Sequence, residues 1–305
     1  MPIAMIVHGG AWAIPDDQVD LHQAGCRAAL AVGWEILNAG GSALEACESA
    51  VLLMEDDPIF DAGTGAVLTS EGTVELDAAL MDGRSLRYGA VAGLRRIRNP
   101  ITLARRILEG PATLLVGDGA ERYAEQVGIT LCANEELIVE RERKLWEDWR
   151  AGRTTPAPFD ASETPSTPSA GHDTVGAIAL DREGNLVAAN STGGTPFKLP
   201  GRVGDTPLIG CGLYADAQIA AAVCTGWGES IARVALARRV IELIERGFAP
   251  QSAAEAAIRT LVRQVPGGSG GCILLTHDGR VGMAWNTRRM AYAYRIEGGE
   301  VAVGV

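Results

Sequence analysis

The chain has no run approaching the roughly 20 consecutive apolar residues of a membrane-spanning helix, which excludes an integral helical membrane protein. It has no basic surplus either. Against 38 Asp and Glu stand 27 Lys and Arg, and a net charge of −11 argues against a surface that neutralises phosphates. The basic cluster Leu94-Arg95-Arg96-Ile97-Arg98 reads as a solvated face. Met1 to His8 lack the basic start and the long apolar core of a secretory signal. The six cysteines (26, 47, 132, 211, 224 and 272) form no CxxC pair and no metal-ligand spacing. They read as small buried hydrophobes of a reducing compartment. No internal repeat of solenoid length is present. The expectation is a soluble, cytoplasmic globular protein with no nucleic-acid or membrane partner.

What is present is a chain of 305 residues, 47% hydrophobic, with 38 glycines gathered at turns. That length suits one large domain or two small ones. Ile3 to Val7 reads as a buried strand entering a tight loop at His8-Gly9-Gly10. A helix is predicted within Gln18 to Asn38, stopped by Gly40-Gly41. A second starts at Ser42, where Glu45 completes a capping box, and ends near Glu55. Strands are predicted at Ala66–Thr69, Val74–Met81 and Tyr88–Val91, then helices at about 101–109, 118–127 and 135–150. Residues 152–171, rich in Pro, Ser and Thr, cannot bury enough surface to offset their ordering entropy, and read as a mobile linker. Beyond them, Thr174–Leu180 and Leu186–Asn190 form a predicted hairpin. A strand at Ile219–Cys224 and helices at about 229–246 and 251–263 follow. The end repeats the hairpin theme, with Cys272–Thr276 and Val281–Trp285 about the His277-Asp278-Gly279 turn. Blocks of hairpins and helices in both halves suggest two stacked antiparallel sheets with helices outside, split by the linker.

Taken locally, Thr174 in Gly171-His172-Asp173-Thr174-Val175-Gly176-Ala177 is a threonine that starts a strand. Its wider context adds more. Val175 to Asp181, Gly184-Asn185-Leu186, Ser191-Thr192-Gly193-Gly194, Lys198 to Asp205 (KLPGRVGD) and Cys224-Thr225-Gly226-Trp227-Gly228-Glu229 follow one another in the order and spacing of a known family. The first half agrees through His8-Gly9-Gly10-Ala11-Trp12, Phe60 to Ala66 (FDAGTGA), Leu76-Asp77-Ala78 and Met81-Asp82-Gly83. Asn286-Thr287 and Met290 agree near the end. Over nearly its whole length the chain resembles the plant-type asparaginases, or isoaspartyl peptidases, of the N-terminal-nucleophile hydrolases.

The resemblance implies a four-layer αββα sandwich (fold class α+β) of two mainly antiparallel sheets flanked by helices. It implies a single domain, 1–305, that cuts itself between Asp173 and Thr174 into 1–173 and 174–305. The freed α-amine of Thr174, with an ordinary pKa of about 7.7–8.0, would serve as the local base for the threonine's own hydroxyl. By the same resemblance Thr192 orients the nucleophile, and Thr225 with the Gly226 N–H forms the oxyanion hole. Arg202 and Asp205 grip the substrate's α-carboxylate and α-ammonium, and Gly228 offers a carbonyl to the ammonium. On their own, Arg202 and Asp205 would more readily pair with each other. His8 has a structural reading, His172 is left out of the catalytic set, and His22 and His277 read as surface residues.

Four positions depart from the family. Asp61 stands where asparagine is usual and is a candidate modulator of specificity or of the amine's pKa. Trp227 replaces a small or polar residue, and either narrows the pocket or packs outside it. His172-Asp173 resembles the glycosylasparaginase branch. The segment from Met54 to Thr64 is similar to the family's loop for a monovalent cation, usually sodium, bound by the backbone of Met54, Glu55, Asp57, Phe60, Ala62 and Thr64. Catalysis would not use that ion, and no cofactor is implied. The leading function is hydrolysis of β-aspartyl dipeptides and of the side-chain amide of L-asparagine. The alternatives are a glycosylasparaginase, a taspase-like endopeptidase, and an unprocessed inactive homologue acting as a binding protein. Assembly by resemblance is an (αβ)2 homo-oligomer.

Overall fold

Most strands carry apolar residues on both faces, the pattern of sheets covered on each side. The computed structural model describes residues 1–154 and 174–305. Along the chain, β1 (Ala4–Trp12) leads into α1 (Val19–Asn38) and α2 (Ala43–Asp56). Then come β2 (Leu76–Asp82), β3 (Tyr88–Leu94), α3 (Pro100–Glu109), β4 (Leu114–Val116), α4 (Gly117–Gln126) and α5 (Glu140–Arg150). The second half runs β5 (Thr174–Leu180), β6 (Leu186–Thr192), β7 (Leu213–Asp216), β8 (Ala220–Gly226), α6 (Gly228–Val234), α7 (Leu236–Glu245) and α8 (Pro250–Gln264). It closes with β9 (Gly270–Thr276), β10 (Val281–Trp285), β11 (Arg289–Ile296) and β12 (Ala302–Gly304).

The strands form an eight-stranded sheet, ordered β12-β11-β1-β5-β6-β2-β3-β4, and a four-stranded sheet, ordered β10-β9-β8-β7. Every pairing is antiparallel except β3 with β4. One core lies between the large sheet and α1 to α3, a second between the two sheets, and a third between the small sheet and α6 to α8. This is the four-layer αββα sandwich. Strand alternation decides which residues face the middle. Val175, Ala177 and Ala179 of β5 meet the helices, whereas Ile178 and Leu180 meet the other sheet. The same parity turns Thr174 toward the inter-sheet space. It likewise turns His8 of β1, Asn190 and Thr192 of β6, Asp77 of β2 and Thr225 of β8 that way.

Several boundaries differ from the sequence reading. The first strand does not end at Val7 but runs through His8-Gly9-Gly10 to Trp12, with a bulge between His8 and Ala11 and Gly10 at φ 89°. Ala66–Thr69 is no strand; only Leu68 bridges Val74. β4 and β7, of three and four residues, are too short to leave a periodic signal. The helix expected over 229–246 is broken at Ala235, which adopts a left-handed φ of 48°. His22 is fully buried, with Nδ1 at 2.9 Å from the Gln18 carbonyl and its ring edge against Phe60, so the surface reading was wrong. The Ser42–Glu45 capping box forms as expected. The expected linker, 152–171, lies almost wholly outside the described residues, as do His172 and Asp173.

Candidate active site

Thr174 opens β5 and Thr192 closes β6, and the antiparallel register sets them directly opposite each other. Neither shift of register by one residue would do, because each would turn one hydroxyl toward the helices. The Thr174 hydroxyl donates to Oγ1 of Thr192 at 3.2 Å, and the Gly194 N–H donates to the same oxygen at 2.9 Å. Thr192 is thereby held by the chain that follows it, and it in turn fixes the rotamer of Thr174.

Thr174, Thr192, Arg202, Asp205, Gly226 and Gly228 line one pocket. Arg202 does not pair with Asp205, the partnership its local spacing favoured. Its Nε and Nη2 instead donate to the two carboxylate oxygens of Glu229 at 2.8 and 2.7 Å. Glu229 is a positioning residue that the sequence reading quoted but left without a role. Three glycines pack along the Nη1 and Nη2 side of the guanidinium. A Cβ at Gly204 would lie 2.9 Å from Nη1, one at Gly194 would lie 3.3 Å from Nη1, and one at Gly228 would lie 3.0 Å from Nη2. Nη1 makes no hydrogen bond among the described residues and remains a donor for a ligand carboxylate.

Asp205 is buried, and its Oδ2 has no hydrogen-bond partner among the described residues. Burial pushes its carboxyl up to about 7, outweighing the attraction of Arg202. A buried carboxylate oxygen without a donor is a group that a cationic ligand would satisfy.

Thr225 and Gly226 end β8 and occupy different depths. Gly226 lines the pocket at φ 125°, packed so closely that a Cβ would lie 2.4 Å from Gly270 Cα. Thr225 stands behind it, fully buried, its Oγ1 accepting from the Ala11 N–H at 3.2 Å. Its hydroxyl proton remains a donor. Trp227 packs away from the pocket against the α6–α8 core, under the Arg233 guanidinium 5.9 Å from its ring centre. His8 is fully buried, accepts at Nδ1 from the Gly10 N–H at 3.3 Å, and has its pKa lowered by burial to about 3. So weak a base takes no proton at neutral pH, which agrees with its structural reading.

Beneath the pocket lies a charged layer of which sequence reasoning singled out Asp61 alone. Lys198 is buried, and its Nζ donates to the Glu75 carbonyl at 2.8 Å. Asp77, Asp61 and Glu75 all act on it electrostatically. Asp77 is fully buried opposite Thr192 in the sheet register, and Oδ1 accepts from the Gly93 N–H at 2.9 Å. Burial raises the Asp77 pKa, partly opposed by Lys198. Asp61 does not line the pocket; it lies under it. Its Oδ1 accepts from the Val67 N–H at 2.8 Å, and its carbonyl accepts from Gly193 N–H at 2.8 Å. Nothing local distinguishes Lys198 from a solvated lysine, since its burial is decided by β2.

The cation loop can be tested for fit on its own backbone. Gly63 and Gly65 adopt φ of 59° and 96°, and a Cβ there would lie 2.5 Å from the Glu55 oxygen and 2.7 Å from the Pro58 oxygen respectively. The Phe60 oxygen is 3.1 Å from that second position. The Glu55 and Asp57 carbonyls accept from the Thr64 and Phe60 N–H groups at 2.8 and 3.2 Å, so two of the expected ligands already serve the loop's own hydrogen bonds. No cluster of His, Cys, Asp and Glu with metal-binding geometry exists among the described residues. No helix among them is long and apolar enough to cross a membrane.

Comparison with known proteins assigns the chain to a family. The asparaginase family model matches residues 1–305. The chain belongs to the asparaginase family. It is 40% identical to the isoaspartyl peptidase/L-asparaginase of Xenopus laevis, over 100% of this chain and 96% of that protein. It is 41% identical to the plant-type L-asparaginase of Pyrococcus furiosus, over 97% of each chain. It is also 41% identical to the isoaspartyl peptidase of Escherichia coli, over 98% and 94%. As a member of the asparaginase family it shares its full length with these relatives, so both the pocket residues and the layer beneath them fall inside the match.

Proposed function

We propose that this chain is a self-activating amidohydrolase of β-aspartyl dipeptides and of the L-asparagine side-chain amide. One observation carries the reading: the Thr174–Thr192 hydroxyl pair lines the same pocket as the Arg202 guanidinium and the buried Asp205 carboxyl, one oxygen of which has no hydrogen-bond donor among the described residues. Those last two groups suit an α-carboxylate and an α-ammonium. The reactive β-carbonyl would then reach toward Thr174.

Activation begins when the Thr174 hydroxyl oxygen attacks the Asp173 carbonyl carbon. The peptide C–N bond breaks as the ester C–O bond forms, and the departing nitrogen takes the hydroxyl proton. Water then hydrolyses the ester, giving 1–173 and 174–305 as two pieces of one domain and restoring the hydroxyl beside a free α-amine. In turnover that amine accepts the hydroxyl proton while Oγ1 attacks the substrate's β-carbonyl. The Gly226 N–H and the Thr225 hydroxyl donate to the developing oxyanion. Collapse expels ammonia or a peptide amine with the proton, and water releases L-aspartate from the acyl-threonine.

Thr192 holds the nucleophile, Arg202 and Asp205 take the aspartyl head, and the Gly228 carbonyl assists at the ammonium. Asp61 modulates the site from below, through Lys198. A sodium ion would be held by the backbone of Met54, Glu55, Asp57, Phe60, Ala62 and Thr64, where it stiffens the loop and takes no part in the reaction. We place the enzyme in the cytoplasm as an (αβ)2 assembly. A denaturing gel tests activation: fragments of 173 and 132 residues (305 − 173 = 132) are expected, and a persistent intact band would sink the reading. Comparing L-asparagine, a β-aspartyl dipeptide and glycosylasparagine tests the substrate class, and preference for the last would favour the glycosylasparaginase suggested by His172-Asp173.

A further inference from the structure

We propose that Trp149 and Phe197 form a clamp that positions the substrate-gripping segment, residues 194–206, over the nucleophile. The proposal rests on the function proposed above. The two rings are stacked with centroids 4.5 Å apart and 5° between planes. Phe197 also adopts φ 59°, a left-handed conformation that a bulky aromatic residue holds only where its surroundings impose it. Its N–H donates to the Leu68 carbonyl at 2.7 Å, which ties its backbone to the loop before β2.

The position of this residue gives the conformation its consequence. On one side, Gly194 and Thr195 line the pocket, and Gly194 holds Thr192. On the other, Lys198 turns inward to the Glu75 carbonyl, and its own carbonyl accepts from the Ser70 N–H at 2.9 Å. The left-handed turn at Phe197 is therefore what lets the chain line the pocket, drop Lys198 beneath it, and rise again to Arg202 and Asp205. The other half of the clamp is also fixed. Trp146, on the same helix as Trp149, covers Gly72, where a Cβ would lie 2.7 Å from its ring, and Arg150 lies 5.0 Å from its ring centre. Helix α5 thus presents Trp149 from a seated position. Thr174 and Thr192 are placed first by the β5–β6 register, and Gly194, which also holds Thr192, stands three residues from Phe197. The clamp therefore acts mainly on the grip at Arg202 and Asp205.

The test uses the full chain bearing Trp149→Ala, Trp149→Phe or Phe197→Asn. Self-cleavage is followed on gels, thermal stability by calorimetry, and KM and kcat with a β-aspartyl dipeptide. Trp149→Ala and Phe197→Asn are expected to raise KM about fivefold with kcat within about twofold and cleavage complete, the size of effect one aromatic stack provides. Trp149→Phe, which keeps a flat ring, should bring KM back to within about twofold of the parent. Phe197→Asn relieves the backbone cost yet removes the ring, so its raised KM assigns the effect to the stack. A lowered melting temperature with unchanged KM would overturn the clamp, as would a loss confined to kcat. Should Trp149→Ala fail to fold, Phe197→Asn against Trp149→Phe decides the matter by the same KM comparison. Failure of the parent chain to cut itself or turn over the dipeptide is a different result, and strikes the functional reading itself.

Discussion

Glu229 grips Arg202 along its Nε–Nη2 edge at 2.8 and 2.7 Å, with Gly194, Gly204 and Gly228 packed along the Nη1 and Nη2 side. The guanidinium is 15% exposed on its side chain and the carboxylate 44%, so the pair sits at the pocket rim, where its own contribution to stability is small. Its value lies in aim. Without Glu229 the arginine samples other rotamers, and a substrate carboxylate must bear the entropy of ordering it. Glu229→Ala is therefore expected to raise KM about tenfold and leave kcat within about twofold. Glu229→Gln, which still accepts at one oxygen, should fall between. Steady-state kinetics with a β-aspartyl dipeptide check this; a lower KM in Glu229→Ala would mean that Glu229 competes with substrate for the arginine.

Thr174→Ala should abolish both the self-cut and hydrolysis, because one hydroxyl performs both. Thr192→Ala removes the acceptor 3.2 Å from that hydroxyl but no reacting atom. It should slow both steps by about 100-fold, the order of magnitude lost when a positioned group goes astray. The check is a time course on denaturing gels followed by a dipeptide assay. Residual turnover in Thr174→Ala would show that another residue attacks.

The legibility of this site divides by chemistry. Thr174, Thr192, Arg202, Asp205, Gly226 and Gly228 stood out only because their blocks resemble a known family in order and spacing, and the structure brings these six to one pocket. The sandwich was legible because hairpin turns and apolar strands are local signals, and so was the Ser42 cap. The break at Ala235 was not, since alanine carries no turn signal and the left-handed residue is imposed by packing. Glu229 and Lys198 look like ordinary charged residues. Each acquires its position from a partner 27 or 123 residues away, beyond the reach of any local pattern. Asp61 drew attention because it stands where the resembled family usually has asparagine close to the active site; its hydrogen bonds with the Val67 and Gly193 N–H groups seat it one layer deeper.

The raised pKa of Asp205 gives the enzyme a pH limit of its own. Burial pushes the carboxyl from 3.8 to about 7, so below that value the free enzyme holds it protonated and unable to pair with an ammonium. Affinity for the aspartyl head should thus fall by up to about tenfold per pH unit as pH drops below the folded value. The sign for folding is opposite: the native state keeps a proton the unfolded chain has lost, so this group lowers stability as pH rises from 3.8 toward 7. Inhibition by L-aspartate reads the binding limb apart from the Thr174 amine, which acts on kcat. Asp205→Asn should weaken inhibition and flatten its pH dependence in the acid range. An unchanged slope in that variant would assign the limb to another group.

Lys198 supplies a stability prediction with a built-in control. It is 5% exposed, over a fully buried Asp77 whose Oδ2 has no hydrogen-bond partner among the described residues. The lysine's own pKa is lowered by burial and held up mainly by Asp77, then by Asp61 and Glu75. Two opposed costs are thereby locked together: each charge is expensive alone and tolerated in company. Lys198→Met keeps the volume and removes the charge, which strands the carboxylates, and should cost about 3–5 kcal/mol of unfolding free energy. Adding Asp77→Asn removes the stranded charge and should recover more than half of that loss. Urea unfolding of the two variants and the parent measures both steps. If the double variant is no more stable than Lys198→Met, the cost comes from the lost Glu75 carbonyl contact and not from an uncompensated carboxylate.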